Sequence, residues 1–355
     1  MKVTLFEPPP QDPSKSHIEN ILELTPISDI GPDVFTNTRP LWHPPGARGI
    51  YGGAAIAQCL AAAQLTVGPE FSPHSMHCYF VLAGDSEIPI IYHVERVREG
   101  RSFATRTVQA RQRGKPIFTT TISFDREGGG GAKKVEHSTQ KPDVALPPAN
   151  GNTVDRGPFE TRRAGILNRT SPRAEQKAIH QFVRARGTIT GGQKAHLSAL
   201  AYMSDSYFIG TVARVQNIPR FASPKALKAA ISKLKNPSDL DMEEIERSAM
   251  ELARQEAAEF SAGYITQEGS GVTSQESPRQ MGMMVSLDHT IYFHKRGGFR
   301  ADEWLFTEMT SPWAGDERGL VMQKIWAQDG TLVATCVQEG VVRLKQDSPS
   351  KANKL

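Results

Sequence analysis

The chain has 355 residues, enough for two domains of ordinary size or one large one. A hydrophobic fraction of 38% with 30 Gly excludes disorder as the main state. A balance of 42 basic and 38 acidic residues excludes the charge footprint of a nucleic-acid binder. No apolar run approaches the ~18–20 residues of a transmembrane helix, and MKVTLFEPPPQDP lacks the apolar stretch of a secretory signal. The three cysteines, Cys59, Cys78 and Cys336, form no CxxC pair. That excludes a zinc ribbon and fits a reducing compartment.

Taken in chain order, Gly52 to Val67 is Ala-rich and uncharged, so it predicts a helix that is buried all round. The paired glycines at its start mark a close approach. Strand runs follow at Ser75–Leu82, Ile88–Val97, Ser102–Gln112 and Pro116–Phe124, with turn residues between them. Residues 1–126 therefore read as one unit. From 127 to 160 the composition shifts to Gly, Pro and Asn, the pattern of a linker or a surface loop.

Residues 161–355 repeat the plan. Gln193–Ile209 is a second apolar helix, and strand runs lie at Met283–Phe293, Trp304–Thr310, Gly319–Ala327 and Leu332–Leu344. Tyr79-Phe80 sits four residues before Gly84, and Tyr292-Phe293 sits four before Gly297. Two copies of a helix followed by a four-stranded meander point to an internal duplication. The segment from about 221 to 280 has no partner in the first half. Ser223-Pro224 and the Ser238/Asp241 pair open two helices there, the second with Met242, Ile245, Ala249 and Leu252 on one face. This reads as a helical insertion in the second repeat.

The runs GIYGGAAIAQCLAAAQ, HSMHCYFVLAGD, YMSDSYF, SLDHTIYFH and ATCVQEGVVR resemble the type II acyl-CoA thioesterases, as does the stretch from Pro89 to Phe118. Together they span most of the chain outside the linker and the insertion. The resemblance implies an α+β double hotdog fold: two long helices, each wrapped by an antiparallel sheet. It implies hydrolysis of acyl-CoA to a free acid and CoA in lipid and fatty acid metabolism, with no cofactor, no metal and a homodimer or homotetramer as the assembly. It carries the family's Asp, Ser/Thr and Gln set onto Asp205, Ser286 and Gln338. Members often hold Gln after the paired glycines, where this chain has Ala54. That leaves a backbone role at Gly53, as a donor to the developing oxyanion.

The residue chemistry agrees with that assignment. Asp205 sits among Tyr202, Met203 and Phe208, where an ionised carboxylate is costly unless it is paired. Period-two alternation places Gln338 on one strand face with Ala334, Cys336 and Gly340, small neighbours that let a helix approach. Asp205 is then the general base for a water held by Ser286 and Gln338. No GxSxG elbow is present. His289, three residues after Ser286, is expected on the opposite strand face and is read as structural, as is His77. Asp288 is expected on the face of Ser286 and is the rival base. Arg96, Arg98, Arg101, Arg106, Arg111, Arg113 and Lys115 read mostly as solvated strand positions.

Asn353-Lys354-Leu355 resembles a peroxisomal Ser-Lys-Leu signal, so a peroxisomal address is expected, with the cytoplasm as the alternative. Two other functions stay open at this stage. One is a hotdog hydratase or dehydratase for enoyl- or hydroxyacyl-thioesters, which wants an Asp–His pair in one pocket. The other is a non-catalytic acyl-CoA binder.

Overall fold

The computed structural model describes residues 8–41, 49–126, 128, 133–148, 157–218 and 279–346. The segment expected to form the helical insertion lies outside the described residues except for Arg279 and Gln280, and Asn353-Lys354-Leu355 lies wholly outside them.

The first repeat opens with a short helix α1 (His17–Leu22) and strands β1 (Leu24–Pro26) and β2 (Val34–Asn37). The buried helix α2 (Gly52–Gln64) and strands β3 (Phe71–Phe80), β4 (Ile91–Glu99), β5 (Phe103–Gln112) and β6 (Lys115–Arg126) follow. The second repeat holds β7 (Phe159–Leu167), β8 (Ala178–Ala185), α3 (Gly192–Met203), α4 (Gly210–Val215) and β9 (Met281–Ser286). It ends with β10 (Asp288–Phe293), β11 (Leu305–Gly315), β12 (Arg318–Trp326) and β13 (Leu332–Leu344). The run expected at Leu332–Leu344 matches β13 end to end. The linker expected to reach residue 160 runs into β7, which begins at Phe159.

Among the described residues, thirteen strands form one antiparallel sheet in the order β1-β2-β4-β5-β6-β3-β10-β13-β12-β11-β8-β7, with β9 added beside β10 on β13. Read outward from the central β3–β10 seam, the two halves have the same order. Taking Tyr79 as the counterpart of Tyr292 makes His77 the counterpart of Thr290, and these two residues face each other across the seam. The duplication therefore has a pseudo-twofold axis at that pair. Each repeat also carries an outer hairpin, β1–β2 or β7–β8, that the sequence reading did not assign. These hairpins flank Pro-rich or polar segments, where the period-two signal is short.

The two long helices pack side by side on one face of the sheet. Of the thirteen residues of α2, only Gly52 and Ala61 are not buried. Its Gln64 donates from Nε2 to Ser198 Oγ of α3 at 2.8 Å. Both helices receive a carboxylate at the N-terminus, where unpaired N–H groups and the helix dipole favour negative charge. Glu19 of α1 accepts from the backbone N–H of Thr190 (3.0 Å) and Gly191 (2.6 Å) ahead of α3. Asp205 serves α2.

The opposite face of the second repeat carries Phe182, Phe306 and Trp326 on neighbouring strands, packed with Trp304. Arg162 and Arg184 stack on Trp304, with guanidinium carbons 4.6 and 4.5 Å from the ring centre. The stretch expected to be a linker or a surface loop covers this face, as the second of those readings has it. Val144 packs into the aromatic cluster, Trp326 Nε1 donates to Thr139 O at 3.0 Å, and Arg162 donates to Pro147 O at 2.9 Å.

Candidate active site

Helix α3 ends at Met203, earlier than the predicted Ile209, so Asp205 lies in the turn between α3 and α4 and not inside a helix. Tyr207 in that turn adopts a left-handed φ of 55°. The turn aims Asp205 across the interface at the start of α2, where the Gly53 backbone N–H donates to its carboxylate. Two glycines allow this approach. A Cβ on Gly52 would lie 2.6 Å from Asp205 Oδ2, and one on Gly53 would lie 2.2 Å from Tyr202 O. The N–H that sequence reasoning gave to the oxyanion is thus committed to Asp205. The cause is desolvation: a carboxylate moved out of water takes the nearest donors.

Gln338 on β13 is buried and donates from Nε2 to Asp205 Oδ1 at 2.8 Å. The same nitrogen lies 3.0 Å from Nδ1 of His289. His289 Nε2 lies 3.0 Å from Ser204 Oγ, which in turn donates to Ala201 O at 2.9 Å. These contacts determine one another. Both amide hydrogens are used, so Nδ1 accepts, Nε2 carries the proton, and Ser204 receives it. Burial drives the His289 pKa down to about 3, so the ring is neutral.

His289 is therefore part of the site, contrary to the expectation that it faces away from Ser286. The reason is a β-bulge. Ser286 pairs with Gly340 and Thr290 with Val337, so Leu287 and Asp288 together oppose Glu339. The extra residue reverses the alternation and brings Ser286, His289, Gln338 and Gly340 to one face. Asp288, the expected rival base, goes to the other face. It pairs with exposed Tyr79 and accepts the Glu339 N–H at 2.7 Å. The small-neighbour argument holds at Gly340, where a Cβ would lie 2.6 Å from Ile209 at the start of α4.

Asp205 and Glu19 show how environment divides two similar placements. Burial raises both. At Glu19, hydrogen bonds from Ser16, Gly191 and Thr190 outweigh it, and the pKa falls below the ordinary value. At Asp205, burial wins over the bonds from Gln338 and Gly53, and the pKa rises to about 6. Asp205 is thus ionised at neutral pH yet basic enough to take a proton, the range in which a carboxylate serves as general base.

The first repeat keeps the frame without the buried carboxylate, imidazole and amide. Thr66 Oγ1 donates to Ala63 O at 2.8 Å, as Ser204 does to Ala201 O, so Val67 stands where Asp205 would be. Met76, the counterpart of His289, pairs with Ile122, and Ile122 pairs with Arg106. Arg106, expected at a solvated position, is wholly buried and donates to Thr66 Oγ1 (2.8 Å) and Thr66 O (2.9 Å).

Two helix-and-sheet repeats with a buried carboxylate at the helix seam make the double hotdog fold, and the similarity to known proteins gives the class. Residues 39–125 match the acyl-CoA thioesterase N-terminal domain, and residues 135–342 match the C-terminal domain. The chain belongs to the acyl-CoA thioesterase family. It is 32% identical to acyl-coenzyme A thioesterase 8 of Homo sapiens over 97% of this chain and 94% of that one. It is 24% identical to peroxisomal acyl-coenzyme A thioester hydrolase 1 of Saccharomyces cerevisiae over 92% and 94% of the two chains. The acyl-CoA thioesterase II TesB2 structure from Mycobacterium marinum aligns with a TM-score of 0.61 at 26% identity, covering 93% of this chain and 98% of that one.

Proposed function

We propose that the protein hydrolyses acyl-CoA thioesters with Asp205 as general base. Asp205 takes a proton from water, whose oxygen attacks the thioester carbonyl. The tetrahedral intermediate then expels the CoA sulfur, which leaves with a proton as the thiol. Gln338 holds Asp205 through its amide, and Ser286, on the same sheet face, orients the water. The observation that carries this reading is Asp205 itself, held near pKa 6 against the positive end of α2 by burial, Gln338 and Gly53.

The structure does hold an Asp and a His on one amide, that of Gln338, close to the pairing that the hydratase reading wanted. The imidazole is unsuited to that role, because Nδ1 accepts from Gln338 and Nε2 donates to Ser204, leaving no free lone pair for a proton. CoA release from a panel of short-, medium- and long-chain acyl-CoAs, compared with Asp205→Ala, tests the proposal. Turnover lost in the variant supports it, and equal turnover in both proteins removes Asp205 as the base.

The same reading includes a peroxisomal location and a homodimer or homotetramer. The yeast relative's description as peroxisomal supports the first. Exposed Tyr79 and Tyr292 on the outer face at the seam support the second. Imaging of the tagged protein with and without Asn353-Lys354-Leu355, and light scattering after size exclusion, decide these two points.

A further inference from the structure

The inner face of the second repeat, beside the proposed site, holds buried polar atoms with no hydrogen-bond partner among the described residues. Gln323 on β12 is 1% exposed, and neither its Nε2 nor its Oε1 is satisfied. Gln181 on β8 is wholly buried with its Oε1 unsatisfied. The Ser206 hydroxyl and the Gln338 Oε1 are likewise buried and unpaired. A buried polar group left without a partner forfeits its hydration with nothing in return, so several in one region call for an explanation.

These groups share one face of the sheet, on β13, β12 and β8, and the turn that follows α3. Gln338 pairs with Val321, and Gln323 lies two residues farther along the same strand, opposite Cys336. Gln323 also faces Met309 on β11. The Met309 sulfur lies 4.0 Å from Gln181 Nε2, which donates to Ser206 O at 3.4 Å. Ser206 directly follows Asp205. A polar track therefore runs from the proposed base across the sheet to β8, beneath the turn that joins α3 to α4. At the usual strand spacing, β12 lies about 5 Å from Gln338 and β8 about 14 Å.

The chemistry of the track specifies its ligand. Three of the orphaned atoms are amide carbonyl oxygens, one is a hydroxyl, and one is an amide nitrogen. Acceptors are in excess, so the complementary group must donate. Apart from Asp205 at its start, which is itself an acid, the groups that form the track are uncharged, so nothing there compensates a carboxylate. We propose that this track is an acyl-chain subsite for a hydroxylated acyl-CoA, with Gln323 and Gln181 as specificity-determining residues that accept from a hydroxyl on the acyl chain. The proposal rests on the thioesterase reading above.

The test compares kcat/KM for a hydroxylated acyl-CoA series, with the hydroxyl moved along the chain, against unsubstituted acyl-CoAs of equal length. The wild type is expected to prefer at least one hydroxylated isomer by tenfold or more. A site built to hydrogen-bond a hydroxyl rejects an analogue that lacks it far better than an apolar pocket rejects an added one. Gln323→Leu and Gln181→Leu are expected to reduce that preference to less than threefold while retaining or raising turnover of the unsubstituted chain. Equal wild-type rates across both series would overturn the subsite and leave the thioesterase reading intact. So would a preference unchanged in both variants. Failure of the wild type to release CoA from any substrate would overturn both. Thermal shift of the wild type by the free hydroxy acids, larger than by the plain acids, gives a second readout that needs no variant.

Discussion

Asp205 carries charge in a place that resists it, and two measurements follow. Its pKa is higher in the fold (about 6) than the ordinary 3.8, so the folded state binds the proton more tightly between those values. The stabilising contribution of this proton is present below pH 3.8 and is lost as the pH rises through about 6. Asp205→Asn removes that cost, so the variant should be more stable than wild type at pH 7–8 by about 1–3 kcal/mol. The gap should close below pH 4, as denaturant melts at the two pH values would show. In the proposed mechanism the same substitution removes the base, and kcat should fall by roughly 10²–10⁴-fold. In the wild type, the rate should climb with pH on an acid limb near 6 and level off above it. Gln338→Leu withdraws a hydrogen bond that favours the ionised form, so the acid limb should move to higher pH. A limb that stays in place would show that another group titrates.

The elements act through close approach. Gly53 is buried in the first turn of α2, and a methyl group there would strike the backbone oxygen of Tyr202 and the ring of Tyr51. Neither atom is the free end of a flexible chain. Gly53→Ala should therefore lower the melting temperature, by an overpacking cost of about 1–3 kcal/mol. Turnover should fall as well, because α2 is held away from Asp205. Gly157→Ala is the control, since a Cβ there meets nothing within 4 Å. At the β9–β10 break, the element and not the residue type assigns the roles. The bulge at Leu287 and Asp288 puts His289 into the site and Asp288 out of it. Period two cannot foresee this, because it presumes an unbroken ladder.

At the scale of the molecule, the duplication builds two equivalent frames and places the buried Asp, His and Gln in one. Asp205, His289 and Gln338 in the second repeat correspond to Val67, Met76 and Ile122 in the first, with Arg106 closing the empty place. The aromatic outer face lies on the far side of the sheet from the site. Trp326→Ala removes a buried indole and its bond to Thr139. The fold should lose about 3–5 kcal/mol. Limited proteolysis should then cut faster between 133 and 148. A kcat/KM within a few-fold of wild type at permissive temperature would show that the covering segment is separate from the site. A cleavage pattern identical to wild type would show that the cover does not depend on Trp326.

The sequence by itself determined the repeat, the two buried helices and the central meanders, and its motifs made Asp205, Ser286 and Gln338 candidates through their resemblance to a known family. Each of these is written locally, in a run of alanines, an alternation of two, or a short motif with its spacing. Only the tertiary structure decided that Gly53 serves Asp205, that His289 and Ser204 complete the hydrogen-bond chain, and that residues 139–147 cover an aromatic face. It also decided that Arg106 is buried and that Gln181 and Gln323 are left unpaired. These properties belong to pairs of residues far apart in the chain. A hydrogen bond, a desolvation cost or a shared face comes into being only when packing sets the two partners against each other.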